Sequence, residues 1–201
     1  MNQSKGGWRW VSGLFLVVLA AMTGGVRAET LVPLDSDWRW LKGLSEATSP
    51  DPAAWRQVGF NAGAWPVAPA PFWYGDEQPS PGTQLSDMRS NYSCVFVRSE
   101  FELENPNDID ALTLRAASDD GFIAWINGQE VLRFNMPDGE IPYFGSSSPA
   151  LGETFPWPPV EAYVLTDPRE YLRQGMNVLA VQAFNSSVGN SSDFVINVGL
   201  D

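Results

Sequence analysis

The stretch Ser118-Asp119-Asp120-Gly121-Phe122-Ile123-Ala124-Trp125-Ile126-Asn127-Gly128-Gln129-Glu130-Val131-Leu132-Arg133-Phe134 decides the fold. Two apolar, β-favouring runs flank Asn127-Gly128. A two-residue type I′ turn needs φ > 0 at both central residues, which Asn and Gly tolerate best. The stretch therefore predicts a β-hairpin. Asp119-Asp120-Gly121 sets a second tight, polar corner at its entry. An isolated hairpin is marginal in water, so this one must lie within a larger sheet.

Towards the C-terminus, Pro137 to Pro159 is an irregular, Pro- and Ser-rich excursion, and Val160 to Leu165 reads as a strand. Thr166 or Asp167 as N-cap, Pro168 at the first helical position and Gly175 past the end mark one short helix, Pro168 to Gln174. From Met176 to Phe184 both alternating sets are mostly apolar, which predicts an interior strand. Ser192 to Leu200 is expected to close the sheet.

Towards the N-terminus, Asp110 to Ala116 and Ser93 to Leu103 read as strands. Between Lys42 and Asn91, Pro50, Pro52, Pro66, Pro69, Pro71, Pro79 and Pro81 exclude long helices and central strands. The same stretch carries Trp55, Phe60, Trp65, Phe72, Trp73 and Tyr74. It is expected to wrap the sheets, with a helical turn near Asp51 to Trp55, fastened by aromatics that each bury about 150–250 Å². Trp38 to Leu41 and an edge strand from Glu29 to Leu34 complete the set. Seven or eight strands, one short helix and long irregular connections predict an all-β sandwich forming a single domain over 29–201.

Residues 1–28 read as a signal peptide. Lys5 and Arg9 give a basic start, Leu14 to Met22 a short apolar core, and Val26-Arg27-Ala28 a cleavage site with small residues. The apolar run is far below the roughly 20 residues that span a bilayer. Export follows as the expectation, to a secreted, periplasmic or cell-surface location, with no membrane insertion after cleavage. Cys94 is the only cysteine, so no internal disulfide can form, and it is expected to pack as a small hydrophobe.

Composition excludes several chemistries. The chain has 24 acidic and 12 basic residues, a formal charge of −12. Such a surface repels phosphate backbones, which argues against nucleic acid, and suits calcium, neutral sugars or a basic partner. There is no His, which removes every Ser-His-Asp or Cys-His arrangement and leaves Cys94 without an activating base. Only the carboxylate pair of a glycoside hydrolase survives, and spacing singles out no pair. The chain is read as not an enzyme.

Two groups of candidate residues remain. Asp119 and Asp120 offer hard oxygen ligands for calcium on a tight corner, or alternatively cap the turn that launches the hairpin. Asp35-Ser36-Asp37 and Asn105 to Asp110 lack the Gly and distal Glu of an EF-hand loop and read as ordinary turns. Of the nine Trp, Trp38, Trp55, Trp65 and Trp125 are assigned to the core. Trp73, Tyr74 and Trp157 fall in irregular segments expected to emerge at an edge, where a flat ring can cover the C–H face of a pyranose. Arg133, Asn135 and Asn185 are the associated hydrogen-bonding candidates, and Asn91, Asn185 and Asn190 sit in glycosylation patterns.

The stretch Ser118 to Val131 is similar to the central hairpin of galactose-binding-like jelly rolls, including the sugar-binding domains attached to β-galactosidase-type glycoside hydrolases. Asp167 to Val181 resembles the same domains' leucine turn, Gly, Asn and Val/Leu strand. Trp65-Pro66, Tyr74-Gly75-Asp76, Phe134-Asn135-Met136-Pro137 and Ser192-Asp193-Phe194 resemble a variant in secreted bacterial multidomain proteins, where it accompanies phosphoesterase, lamin-tail-like or other extracellular domains. The resemblance spans 31–201, with Phe72-Trp73-Tyr74-Gly75 departing from the usual Tyr/Phe-Gly-Tyr-Gly loop. Asp119-Asp120-Gly121 also resembles the protective-antigen type of adhesin domain, in which two aspartates hold calcium and calcium holds a sugar. The helix-Gly-Asn-strand segment favours the jelly roll.

These resemblances imply an exported, non-catalytic module that recognises a polysaccharide or cell-surface glycan, with either structural calcium or no cofactor. The alternative is a structural or interaction module that meets other extracellular domains and keeps all its aromatics in the core. Burial of Trp73, Tyr74 and Trp157 separates the two.

Overall fold

Alternating apolar residues sort the chain into two layers. The computed structural model describes residues 1, 29–75, 82–148 and 158–201. In chain order the strands are β1 (Asp37–Lys42), β2 (Val67–Pro69), β3 (Phe72–Tyr74), β4 (Thr83–Gln84), β5 (Cys94–Leu103), β6 (Leu112–Asp119), β7 (Gly121–Ile126), β8 (Gln129–Phe134), β9 (Glu161–Leu165), β10 (Gly175–Phe184) and β11 (Phe194–Leu200). A six-stranded sheet runs β2-β1-β5-β10-β7-β8, and a five-stranded sheet runs β4-β3-β11-β6-β9. From β5 onward the chain passes repeatedly from one sheet to the other, which is the jelly-roll β-sandwich that the sequence predicts. The proposed signal sequence falls on residues outside those described, apart from Met1.

The hairpin forms as expected. Asn127 has φ 53° and Gly128 φ 88°, joining β7 to β8. The Asn127 side chain does more than permit the turn. Its Nδ2 donates to the Tyr171 carbonyl and to Asn177 Oδ1, both at 2.7 Å, while its Oδ1 accepts from Val178 N at 2.9 Å. Asp119-Asp120 is the corner where the chain leaves β6 in one sheet for β7 in the other.

Between the sheets lies one core, built from residues such as Trp38, Phe72, Val97, Leu114, Phe122, Val181 and Ile196. A second core covers the outer face of the six-stranded sheet, with Trp55, Trp65, Phe96, Ile123, Trp125, Val178 and Phe184. This explains why β10 is apolar on both faces: Leu179 and Val181 point between the sheets, Val178 and Ala180 under the wrapping segment. Buried Arg98 ties that segment down. Its Nε donates to Trp55 O at 3.2 Å and its Nη2 to Gln57 O at 3.2 Å, and Glu100 pairs with Nη1 at 2.6 Å. The Arg56 guanidinium lies 3.7 Å from the Trp125 ring centroid and is paired with Glu140.

The described residues form eleven strands in place of the seven or eight expected, because the wrapping segment adds the short β2, β3 and β4, and β3 lies inside its sheet where the prolines predicted no central strand. Three further details differ from the sequence reading. Glu29 to Leu34 contributes only one bridge, Val32 to Leu200, in place of an edge strand. The expected helix Pro168 to Gln174 is a 3-10 turn, Pro168–Glu170. Asp167 enters it at φ 50° without a side-chain cap, and Asn177 takes the Arg173 N–H and C=O that further turns would have used. β11 sits in the middle of its sheet, between β3 and β6. Among the described residues, no helix is long and apolar enough to cross a membrane.

Candidate functional site

The β6–β7 corner gathers four of the nominated polar residues into one network. Asp120 is buried, and its Oδ2 accepts from Ser186 N at 2.6 Å. Its carbonyl accepts from Asn135 Nδ2 at 3.0 Å, and the Asn135 carbonyl accepts from Ser148 N at 2.9 Å. Asn135 itself stands at φ 51°, a left-handed conformation that asparagine tolerates. Asn185 is 1% exposed; its Nδ2 donates to the Tyr74 hydroxyl at 2.6 Å and to Asp193 O at 3.1 Å. The Tyr74 hydroxyl donates in turn to Ser191 O at 3.3 Å, and burial pushes its pKa above the ordinary value. The corner is a buried brace joining β3, β7, β8 and the β10–β11 connection.

That arrangement corrects the expected sugar site. Trp73 and Tyr74 do not emerge at an edge: they lie in β3, paired with β11, and are 8% and 6% exposed. β3 is registered so that Phe72 and Tyr74 enter the inter-sheet core, which a sequence of alternating aromatics permits on either face. Asn185 is likewise a structural bond-maker, not a ligand contact. Arg133 on β8 uses its guanidinium on Glu130, at 2.8 and 2.6 Å, and on Pro137 O at 2.6 Å. Trp157 lies outside the described residues.

Asp119 is half-buried in a cross-strand row with Val195 and Trp73, whereas Asp120 reaches the turn after β10. Among the described residues no group of three or more His, Cys, Asp or Glu side chains is placed to hold a metal. The bond from Ser186 N crosses between segments that are distant in sequence, so it braces the corner and is not a cap of the turn that launches the hairpin.

The sequence reading passed over an aromatic pair with one exposed ring, Phe144, beside the half-buried Tyr143. Phe144 is 69% exposed and meets the Tyr143 ring edge-on, with centroids 5.1 Å apart. The backbone beneath the pair is fixed: Tyr143 N donates to Glu46 Oε1 at 3.2 Å, Gly145 N to Pro142 O at 2.8 Å, and Ser147 N to Asn185 O at 3.1 Å. Cys94 Sγ donates to Tyr143 O at 3.1 Å, and Ser93 Oγ donates to Gly145 O at 2.5 Å. Leu44, one residue beyond the Gly43 that bonds Cys94, is 54% exposed. The signal was available: an aromatic in a Pro-rich irregular segment, the criterion that singled out Trp157, applies equally to Tyr143-Phe144.

No family model matches the chain, and no curated protein matches it in sequence. Among solved structures, a β-glycosidase from Bacteroides vulgatus is similar over 85% of this chain and 20% of its own, at 16% identity and a TM-score of 0.43. β-Glucuronidase 2 from Bacteroides uniformis matches 85% of this chain and 18% of its own, at 17% identity and a TM-score of 0.49. A β-D-mannosidase from Dictyoglomus thermophilum matches 78% and 16%, at 13% identity and a TM-score of 0.42. The chain thus spans at most about a fifth of the length of these enzymes. Its chemistry has to be read from its own residues.

Proposed function

We propose that this chain is an exported, non-catalytic recognition module that binds carbohydrate through the Tyr143-Phe144 surface. The observation that carries the reading is the exposed Phe144 ring on a backbone pinned to β5 and the β10–β11 connection. Leaving such a ring in water forgoes about 1.5–3 kcal/mol of burial. Holding it there on fixed hydrogen bonds lowers the ordering cost of contact with a ligand. A flat ring covers the C–H face of a pyranose, and the neighbouring Glu46 carboxylate can accept from its hydroxyls.

The reactive groups support binding over turnover. There is no His. Burial pushes the Cys94 thiol up to about 12, so no thiolate is available as a nucleophile at neutral pH. The acidic surface favours a neutral ligand over a phosphorylated one. We read the sandwich as galactose-binding-like, on the Asn127-Gly128 hairpin and its lock to Asn177. Calorimetric titration with soluble polysaccharides tests the proposal: saturable heat lost in Phe144→Ala supports it, and no heat from the folded protein overturns it.

A further inference from the structure

We propose that β9 is a docking edge for an extended, apolar and basic segment of another polypeptide, which adds to the five-stranded sheet as its next strand. An open sheet edge presents unpaired N–H and C=O groups, and stable proteins blunt such edges with prolines, charges or short strands. Three of the four edges here are blunted. β2 spans three residues, preceded by Pro66 and ending on Pro69, and β4 spans two. β8 carries the Glu130–Arg133 ion pair.

β9 is longer, at five residues, has no proline within it after Pro158-Pro159, and carries Glu161 as its one charge. It pairs with β6 on one side, and among the described residues nothing bonds its other side. Val164 is 75% exposed and Val160, just before the strand, 48%. Val164 lies opposite Thr113 and Ala162 opposite Arg115, so Val160, Ala162 and Val164 form an apolar stripe on the outer face of the sheet. Inward, Tyr163 packs on Phe122 and Phe134 and keeps the strand seated.

Charge selects the occupant. Glu161 is exposed on β9 itself, and Asp108, Asp110, Asp167 and Glu170 are exposed around its C-terminal end. The nearby cations are already paired: Arg169 with Asp110 at 2.9 Å, and Arg115, opposite Ala162, with Asp201 at 2.9 Å. A second copy of this acidic chain would bring like charges together. A strand with aliphatic residues at alternate positions and lysine or arginine at its ends satisfies both the backbone and the rim. This inference is independent of sugar binding.

The test uses the full chain and a synthetic peptide of alternating valine and threonine closed by lysines, with a glutamate-ended peptide as control. Nuclear magnetic resonance should show saturable shifts at Glu161–Leu165 and at β6 with the lysine peptide. Val164→Glu, at an exposed position that leaves folding intact, should weaken binding about tenfold or more. No saturable binding, equal binding of the glutamate peptide, or shifts centred on β8 would overturn the proposal. So would a dimer in sedimentation equilibrium that Val164→Glu abolishes, since the occupant would then be a second copy.

Discussion

Asn185 donates its side-chain amide to the Tyr74 hydroxyl at 2.6 Å, so two residues with ligand-binding chemistry are spent on each other. Both are buried. Tyr74→Phe should therefore cost about 1–2 kcal/mol in urea unfolding, because the Asn185 amide loses a partner it cannot replace with water. Any polysaccharide affinity should be unchanged. A selective loss of affinity without a loss of stability would show that Tyr74 faces ligand after all.

Asp120 should behave as a brace. Its carboxylate accepts from the part-buried Ser186 N, so Asp120→Ala removes a hydrogen bond to a charged group and should lower stability by about 1.5–3 kcal/mol. The loss should be the same in calcium and in chelator. If calcium stabilises the wild type and not the variant, the corner is a metal site.

Gly128 should resist substitution chiefly through its backbone. Its φ is +88°, and a Cβ would lie 2.1 Å from Nε2 at the flexible end of Gln57, which would also have to move aside. The left-handed backbone alone costs a non-glycine residue about 1–2 kcal/mol. Gly128→Ala should lower the unfolding midpoint by at least that equivalent, whereas Gly139→Ala, also at positive φ but with open space around it, should show only the backbone cost.

Stability should fall on the alkaline side. Burial raises the Cys94 thiol from 9.0 to about 12, and Tyr171 rises from 10.0 to about 12 for the same reason. Above pH 9 the unfolded chain loses a proton that the folded chain keeps, so the Cys94 contribution is intact below pH 9 and declines towards 12, by about 1.4 kcal/mol per pH unit. The tyrosines add to the decline above 10. Denaturation followed against pH should be flatter between 9 and 10 in Cys94→Ala. With no His in the chain, little change is expected between about pH 6 and 8.

The elements legible in the sequence are those fixed by local chemistry. Asn127-Gly128 specifies its turn through backbone φ, and the double alternation in Met176 to Phe184 announces a strand covered on both faces. Exposure was legible only in part, because it depends on what lies above a residue. Trp73 and Tyr74 share the Pro-rich surroundings of a surface loop, yet pairing with β11 takes them inside. Phe144 has the same kind of surroundings and stays outside, because Gly145 and Ser147 fasten the chain below its ring. Helix length was misread for a similar reason. Pro168 and Gly175 mark plausible ends, but the long-range bonds of Asn177 decide how many turns fit between them.

The central claim is that Phe144 is the sugar contact, and calorimetric titration of the wild type and Phe144→Ala with a panel of soluble polysaccharides tests it most directly. The account predicts saturable binding by the wild type, at least about tenfold weaker binding by the variant, and the same unfolding temperature for both, because the ring is 69% exposed. Equal affinities in the two proteins, or no binding by a folded wild type, would contradict it.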